Sequence, residues 1–435
     1  MSDVAIRFRG EAGKSSWRYY RAIARTIDRR TFLAATSSLL ACDGSARGRR
    51  ATSSTWAKSV LGSDATSAGS AETRSRPASS TTASLPSGEN YALFERFPGL
   101  ASGVSRLPLA RLPSRVEAAS RLASEIGLGD AFYVKRDDDI ANAVGGGKVR
   151  KLELFFGEAR RLGRNSIATV GGVGSNQAVA TALLGRELGF SVTLGLAPQP
   201  WSALVTTNLQ ADAASGARMA LFSSVSLAQA TLRELTGPSN VFVIPAGGTS
   251  PLGTLAFVNA GLEIAADVAR GLLPAPRRIY VALGLGGTAT GIAIGCALAS
   301  LETEVVAVRA SNPATVSGAT IARIADETIA HARHLDASFP TLSASSLRIR
   351  IDGRFVGSGY GSPTPEGDMA VRRAREAEGW ELDPVYTGKA LAAVVEDAKA
   401  GVRGPVLFWN TQSSRPLPSA SVPEAFRRFV RKKSA

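Results

Sequence analysis

From Tyr91 onward, apolar runs of strand length alternate with stretches whose apolar residues recur every three to four positions. FYVKRD (132–137), SIATVGG (166–172), FSVTLGLA (190–197), VFVIPAGG (241–248), RIYVALG (278–284) and EVVAVRA (304–310) predict strands. VRKLELFFGEARRLG (149–163), closed by Gly163, predicts an amphipathic helix. SNQAVATALLGRELG (175–189), GTLAFVNAGLEIAADVARG (253–271) and TATGIAIGCALA (288–299) predict three more. Strand, loop and helix in repetition imply an α/β fold with parallel sheets covered by helices. Glycines cluster just past the strands, the end at which such sheets bind ligands.

Before Tyr91 the pattern is different. Asp28-Arg29-Arg30-Thr31-Phe32-Leu33 precedes the apolar TFLAATSSLLA, which stops at Cys42. A basic region, paired arginines and a short apolar stretch resemble a twin-arginine export signal. LLAC (39–42) resembles a lipoprotein box, with Leu40 where a small residue is usual. The expectation is an export signal over 1–42, a candidate lipid anchor at Cys42, and a flexible Ser/Ala/Thr-rich linker over 43–88. The protein would then reside in the cell envelope or periplasm. A basic extension or a start further downstream is the alternative, and with it a cytoplasmic protein.

A net charge of +15 raises the question of nucleic acid, and its distribution argues against it. Residues 1–88 hold 14 Lys/Arg against 6 Asp/Glu, so +8 of the +15 lies outside the patterned region. The remainder is spread thinly apart from Arg427-Arg428 and Arg431-Lys432-Lys433, with no basic stripe carrying interleaved aromatics. No nucleic-acid partner is expected. The two cysteines, Cys42 and Cys296, form no disulfide or zinc pattern, and Cys296 sits in an apolar helical run as a core residue. His331 and His334 are three apart on a predicted surface helix without an acidic or thiol neighbour, so no metal is expected. With only two histidines, proton chemistry falls to lysine, serine, tyrosine or a carboxylate.

Five motifs carry candidate chemistry. In GGGKVRKLE (145–153), Gly145, Gly146 and Gly147 would let backbone pass close to a bulky ligand beside Lys148. A lysine amine forms a Schiff base once a dry or cationic setting lowers its pKa, and Arg150 and Lys151 could supply the cations. The bland alternative is a helix-entry loop with surface lysines. In GGVGSNQ (171–177), Ser175 and Asn176 open a helix; they are good caps, and the same geometry suits a substrate carboxylate. GLGGTATG (284–291) is a glycine turn into a Thr-bearing helix start, a phosphate cradle. It also satisfies a loose dinucleotide pattern through Gly284, Gly286 and Ala289, but the next strand ends in Arg309 rather than an acid, which disfavours NAD. GYGSPTPEG (359–367) and LDPVYTGKA (382–390) place Tyr360 and Tyr386 in loops, as packed aromatics or as partners of a flat ring.

Together with KRDD (135–138) and IPAGGTSPLG (244–253), these motifs resemble, in order and spacing, the pyridoxal-phosphate enzymes that group 1-aminocyclopropane-1-carboxylate deaminase with D-cysteine desulfhydrase. The resemblance covers roughly residues 90–415. It implies a tryptophan-synthase-β-like (fold type II) architecture with two three-layer α/β domains and mainly parallel sheets. The larger domain would comprise 89–150 and 253–435, the smaller 151–252, and the protein would be a homodimer. By the same resemblance Lys148 would carry pyridoxal phosphate and Ser175 would act as nucleophile or proton carrier. Asn176 would lie against the phenolic oxygen and Gln177 near the substrate carboxylate. Gly286, Gly287, Thr288, Ala289 and Thr290 would hold the phosphate. Tyr360 and Tyr386 would line ring and substrate, with Thr387 and Thr411 at the ring.

The cyclopropane deaminases resemble one another in carrying Glu after the tyrosine of the DPVY motif and Leu in the last strand-end motif. Thr387 and Thr411 occupy those places here, which looks like the desulfhydrase side. A hydroxyl cannot protonate a ring nitrogen as a carboxylic acid can. The chain departs from the family at Asn410-Thr411-Gln412-Ser413, where His-Thr-Gly-Gly is usual. It departs again at Gly147, where asparagine is common, and at Gly174, where glutamine is common. The expected activity is β-elimination on a small amino acid, most simply D-cysteine. The alternatives are cyclopropane-carboxylate deamination, cysteate sulfo-lyase chemistry and non-catalytic binding of amino acids; an NADP oxidoreductase stands further off.

Overall fold

The computed structural model describes residues 91–430 apart from 237–239 and 313. The expected export signal, Cys42 and the linker lie outside the described residues. Ten strands and twelve α-helices follow one another among the described residues. The strands are β1 (Val116–Ala118), β2 (Phe132–Arg136), β3 (Ser166–Gly172), β4 (Ser191–Ala197), β5 (Arg218–Leu221), β6 (Val241–Ile244), β7 (Arg278–Leu283), β8 (Glu304–Arg309), β9 (Ile349–Asp352) and β10 (Val406–Asn410). The first six helices are α1 (Ala92–Arg96), α2 (Pro98–Gly103), α3 (Ser120–Ile126), α4 (Lys148–Arg161), α5 (Asn176–Glu187) and α6 (Ala203–Ala214). The second six are α7 (Val225–Thr236), α8 (Pro251–Ala269), α9 (Gly287–Leu298), α10 (Gly318–Leu335), α11 (Pro365–Glu378) and α12 (Thr387–Lys399).

The strands form two sheets. The larger runs β1-β2-β10-β7-β8-β9 and the smaller β5-β4-β3-β6. Only the β1–β2 pairing is antiparallel. Near-continuous apolar runs explain this. In β3 and β4 six of seven residues are buried, as strands covered on both faces require. Register then places the functional loops. Gly172 of β3 lies opposite Ala197 of β4, so the turns that follow these strands leave the sheet side by side. In the larger sheet Asn410 of β10 pairs with Arg136 of β2, which brings segment 411–413 against Asp137 and Asp138.

The predicted strands and helices match observed ones to within a residue or two at most ends. VFVIPAGG is the exception: the strand stops at Ile244 because Pro245 has no N–H to give the ladder. LDPVYTGKA is not a loop throughout, since α12 begins at Thr387. Asp383 caps it, its carboxylate accepting from the amides of Val385, Tyr386 and Thr387. α8 is apolar and long enough to cross a membrane, yet it is mostly buried inside the fold. It crosses α9 closely, where a Cβ on Gly295 would stand 2.7 Å from the Gly261 Cα. Cys296 on α9 is buried, and burial pushes its thiol up to about 12, so it is an inert core residue.

A buried ionic cluster ties the start of α4 to α8. The Arg150 guanidinium, fully buried, meets Asp137 at 2.8 Å and Glu263 at 2.7 Å. Lys135 meets Asp267 at 2.6 Å, and Arg106 meets Glu153 at 3.0 Å. Bidentate contacts and the Ser114 hydroxyl complete the partners of Arg150, as a buried charge demands. This cluster fixes α4 two residues from Lys148.

Candidate active site

Lys148 is the first residue of α4, at the carboxyl end of the larger sheet. Its partly buried amine donates to the Gly247 carbonyl at 3.2 Å, and burial lowers its pKa to about 8. Lys151, one turn on and fully buried, donates to the same carbonyl at 3.3 Å. Burial first, and the Lys148 charge second, hold the Lys151 pKa well below the ordinary value. Two amines thus converge on one oxygen, and neither has a carboxylate partner among the described residues. Arg150 does not serve as the neighbouring cation expected from sequence, because Asp137 and Glu263 neutralise it.

The glycine run before Lys148 has a packing cause within the protein itself. A Cβ on Gly145 would fall 1.8 Å from the Asp138 carbonyl oxygen, and one on Gly147 3.0 Å from the Phe257 ring. Gly146 has φ +92° and lies against the Thr411 carbonyl. Bare backbone is required by packing against Asp138 and segment 411–413. Ser413 and Thr411 accept from the amides of Gly145 and Gly147.

Ser175 caps α5, its buried Oγ accepting from Ala178 N at 3.3 Å, while its hydroxyl proton has no described acceptor. The amides of Asn176 and Gln177 in the first turn are free of acceptors, as helix starts leave them. The Asn176 side chain is engaged at both ends, donating to Gln412 Oε1 at 2.9 Å and accepting from Asn208 Nδ2 at 2.8 Å. Gln177 donates to Thr181, and its buried Oε1 has no partner.

Across the cleft, α9 starts at Gly287 behind Gly286, whose φ is +98°. The amides of Gly287, Thr288 and Ala289 are free, because the first intrahelical bond is donated by Thr290. Two buried hydroxyls nearby, Thr254 Oγ1 and Thr290 Oγ1, have no partner. A Cβ on Gly287 would stand 3.0 Å from Thr254 Oγ1. Free amides, the helix dipole, orphaned hydroxyls and an absent Cβ make a cradle for a phosphate.

Tyr386 and Tyr360 close the ring of residues. Tyr386 lies 3.7 Å from the position of a Gly284 Cβ, at the end of β7. Its phenol donates to that of Tyr360 at 2.8 Å, and Tyr360 in turn flanks Gly172 at the end of β3. The two threonines expected at the ring separate. Thr387 spends its single hydroxyl proton on Asp383 Oδ2 at 2.9 Å and accepts from Asp383 N at 2.9 Å. Thr411 Oγ1 makes no hydrogen bond to a described residue. Sequence reasoning missed Asn208, Gln199, Thr254 and the capping acid Asp383. Asp383 was legible, three residues before Tyr386 in an Asp-Pro turn.

An amine of lowered pKa, a phosphate cradle, tyrosines and a free hydroxyl fit a phosphorylated aromatic aldehyde. Residues 107–411 match the family model described as pyridoxal-phosphate dependent enzyme. The chain belongs to this family. Among curated relatives, Nocardicin C-9' epimerase of Nocardia uniformis subsp. tsuyamanensis is 36% identical over 71% of this chain and 93% of its own length. D-cysteine desulfhydrase of Yersinia pestis (strain Pestoides F) is 31% identical over 70% and 93%. A putative 1-aminocyclopropane-1-carboxylate deaminase of Pyrococcus abyssi is 30% identical over 74% and 93%. Among solved structures, an ACC deaminase homologue aligns at 27% identity with TM-score 0.61, over 74% of this chain and 95% of its own. Threonine deaminase isoform 2 from Solanum lycopersicum aligns at 15% identity and TM-score 0.50 over 75% of this chain and 91% of its own, a likeness of fold. The family member described here is a pyridoxal-phosphate enzyme of fold type II, within the group holding these deaminases and desulfhydrases.

Proposed function

We propose that this enzyme catalyses β-elimination on a small amino acid, with D-cysteine as substrate, consuming water and releasing pyruvate, sulfide and ammonia. The observation that carries the reading is the hydroxyl character of the ring end. Thr387, where the deaminases carry Glu, is locked to Asp383, and Thr411, where they carry Leu, offers a free hydroxyl. Expelling a good leaving group from Cβ demands less electron withdrawal than opening a carbon ring does.

Bound pyridoxal phosphate supplies a sink for negative charge at Cα. Lys148 holds the cofactor, and Gly286 to Thr290 with Thr254 bind its phosphate. The free amides of Asn176 and Gln177 bind the substrate carboxylate at the positive end of α5. The Lys148 amine, released by substrate, removes the Cα proton, with Ser175 as the alternative carrier. Tyr360 and Tyr386 face the leaving group and hold a proton for it. Such general-acid and general-base help contributes about 10²–10⁴ in rate.

Product identity tests the reading. D-Cysteine should give equal pyruvate and sulfide, whereas 2-oxobutyrate from 1-aminocyclopropane-1-carboxylate as the main product would replace it with the deaminase reading. That second reading has the Pyrococcus relative in its favour. Sulfite from cysteate would mark a sulfo-lyase, and cofactor binding without turnover a binding protein. The epimerase name of one relative adds a check for enantiomer exchange, which shares removal of the Cα proton. We propose further that residues 28–42 direct export with lipid attachment at Cys42; an intact Met1 or a start beyond Cys42 in the mature protein would contradict the attachment. A homodimer is proposed on family likeness, and sedimentation of the holoenzyme tests it.

A further inference from the structure

The turn after β4 lays Gln199 against the serine turn after β3. Gln199 Oε1 accepts from Gly174 N at 3.0 Å. An N–H can meet only the oxygen end of an amide, so this bond fixes the side chain's orientation. Nε2 is left with two donor hydrogens and no described acceptor. The space around the amide is kept by glycines. A Cβ on Gly172 would stand 2.2 Å from Oε1, one on Gly174 2.8 Å from Nε2 and one on Gly361 3.4 Å from Nε2. The same Gly172 position lies 3.4 Å from the Tyr360 ring. Gln199 therefore sits between the Ser175 turn and the Tyr360 loop, its free donor lying between Gly174 and Gly361.

We propose that Gln199 is a specificity-determining residue, its Nε2 bonding the group beyond the substrate's Cβ and favouring substituents that carry an acceptor, such as a sulfonate, over apolar ones of similar size. The inference rests on the β-elimination reading above. The two adjacent turns then divide the labour: amides of 176 and 177 for the α-carboxylate, Ser175 for proton transfer, Gln199 for the far end of the side chain.

Gln199→Glu isolates the donor. It keeps an oxygen for Gly174 N and the length of the side chain, and replaces Nε2 with a carboxylate oxygen. The holoenzyme and this variant are compared with D-cysteate, read as KM or as a competitive inhibition constant, and with β-chloro-D-alanine. Loss of one amide hydrogen bond weakens binding about 2- to 10-fold, and a charge facing the sulfonate weakens it further. The expected result is at least a tenfold rise for D-cysteate, with KM for β-chloro-D-alanine within about twofold of wild type. Equal values for the two proteins, or a fall in kcat shared by both compounds, would overturn the assignment of Gln199. Borohydride labelling of Lys148 in both proteins keeps that failure apart from failure of the β-elimination reading, which would appear as absent labelling or no pyruvate from wild type.

Discussion

The Tyr386 phenol donates to the Tyr360 phenol at 2.8 Å, with the rings edge-on and 6.2 Å apart. The pair bridges the carboxyl ends of the two sheets, and it leaves one phenolic proton uncommitted, that of Tyr360. Burial raises both pKa values, and for Tyr360 the bond from Tyr386 offsets part of the rise. Tyr360 is thus the better acid of the two. Tyr360→Phe should lower kcat by about 10²-fold, at the low end for a lost general acid. Tyr386→Phe should cost less, and the double variant no more than Tyr360→Phe alone, because the two act as a unit. Steady-state kinetics on the four proteins checks this; multiplicative losses would mean independent roles.

Apoenzyme should take up cofactor with a pH dependence set by Lys148. Burial lowers that amine from 10.5 to about 8, so its reactive neutral form appears more than two units earlier than on a free lysine. The rate of reconstitution with pyridoxal phosphate should rise with a midpoint near pH 8. Stability follows the same sign. Below pH 8 the buried charge carries its full penalty, and the apoenzyme should gain stability as pH rises from about 8 towards 10.5. Melting curves across that window measure it.

Thr254 should report the phosphate cradle through two opposite effects. Its buried hydroxyl has no partner and sits beside the start of α9. Thr254→Val removes that orphaned group and should stabilise the apoenzyme by about 1 kcal/mol. The same change should weaken pyridoxal phosphate binding about tenfold. Thermal denaturation of the apoenzyme and cofactor titration separate the two.

Arg150→Met tests what holds Lys148 in place. The substitution leaves Asp137 and Glu263 facing one another without the guanidinium between them. Breaking a buried pair in this way costs about 3–5 kcal/mol. Denaturant unfolding should show a loss of that size, and a neutral result would mean that water or repacking replaces the charge.

Much of the fold was legible because buried parallel strands announce themselves as continuous apolar runs and their helices by period. SIATVGG matches β3 residue for residue. The short strands β1, β5 and β9 were missed; only one of their eleven residues is buried, so they carry little apolar signal. β10 is buried throughout and was also left out of the strands read from the pattern, entering only through the strand-end motif of the resemblance. Of the site, the strand-end glycine motifs were legible because each must leave backbone amides bare. The reason for Gly145 was not, because it depends on Asp138 and segment 411–413, far apart in sequence and joined only by the β2–β10 register. Thr387 shows the same limit. Its place beside Tyr386 is plain in the chain, but the loss of its proton to Asp383 is a matter of geometry.

Borohydride reduction of the holoenzyme followed by peptide mass spectrometry tests the central claim most directly. The account predicts a single pyridoxyl adduct on Lys148, in the peptide containing GGGKVR. An adduct on Lys151 or on another lysine, or none in folded protein supplied with the cofactor, would contradict it.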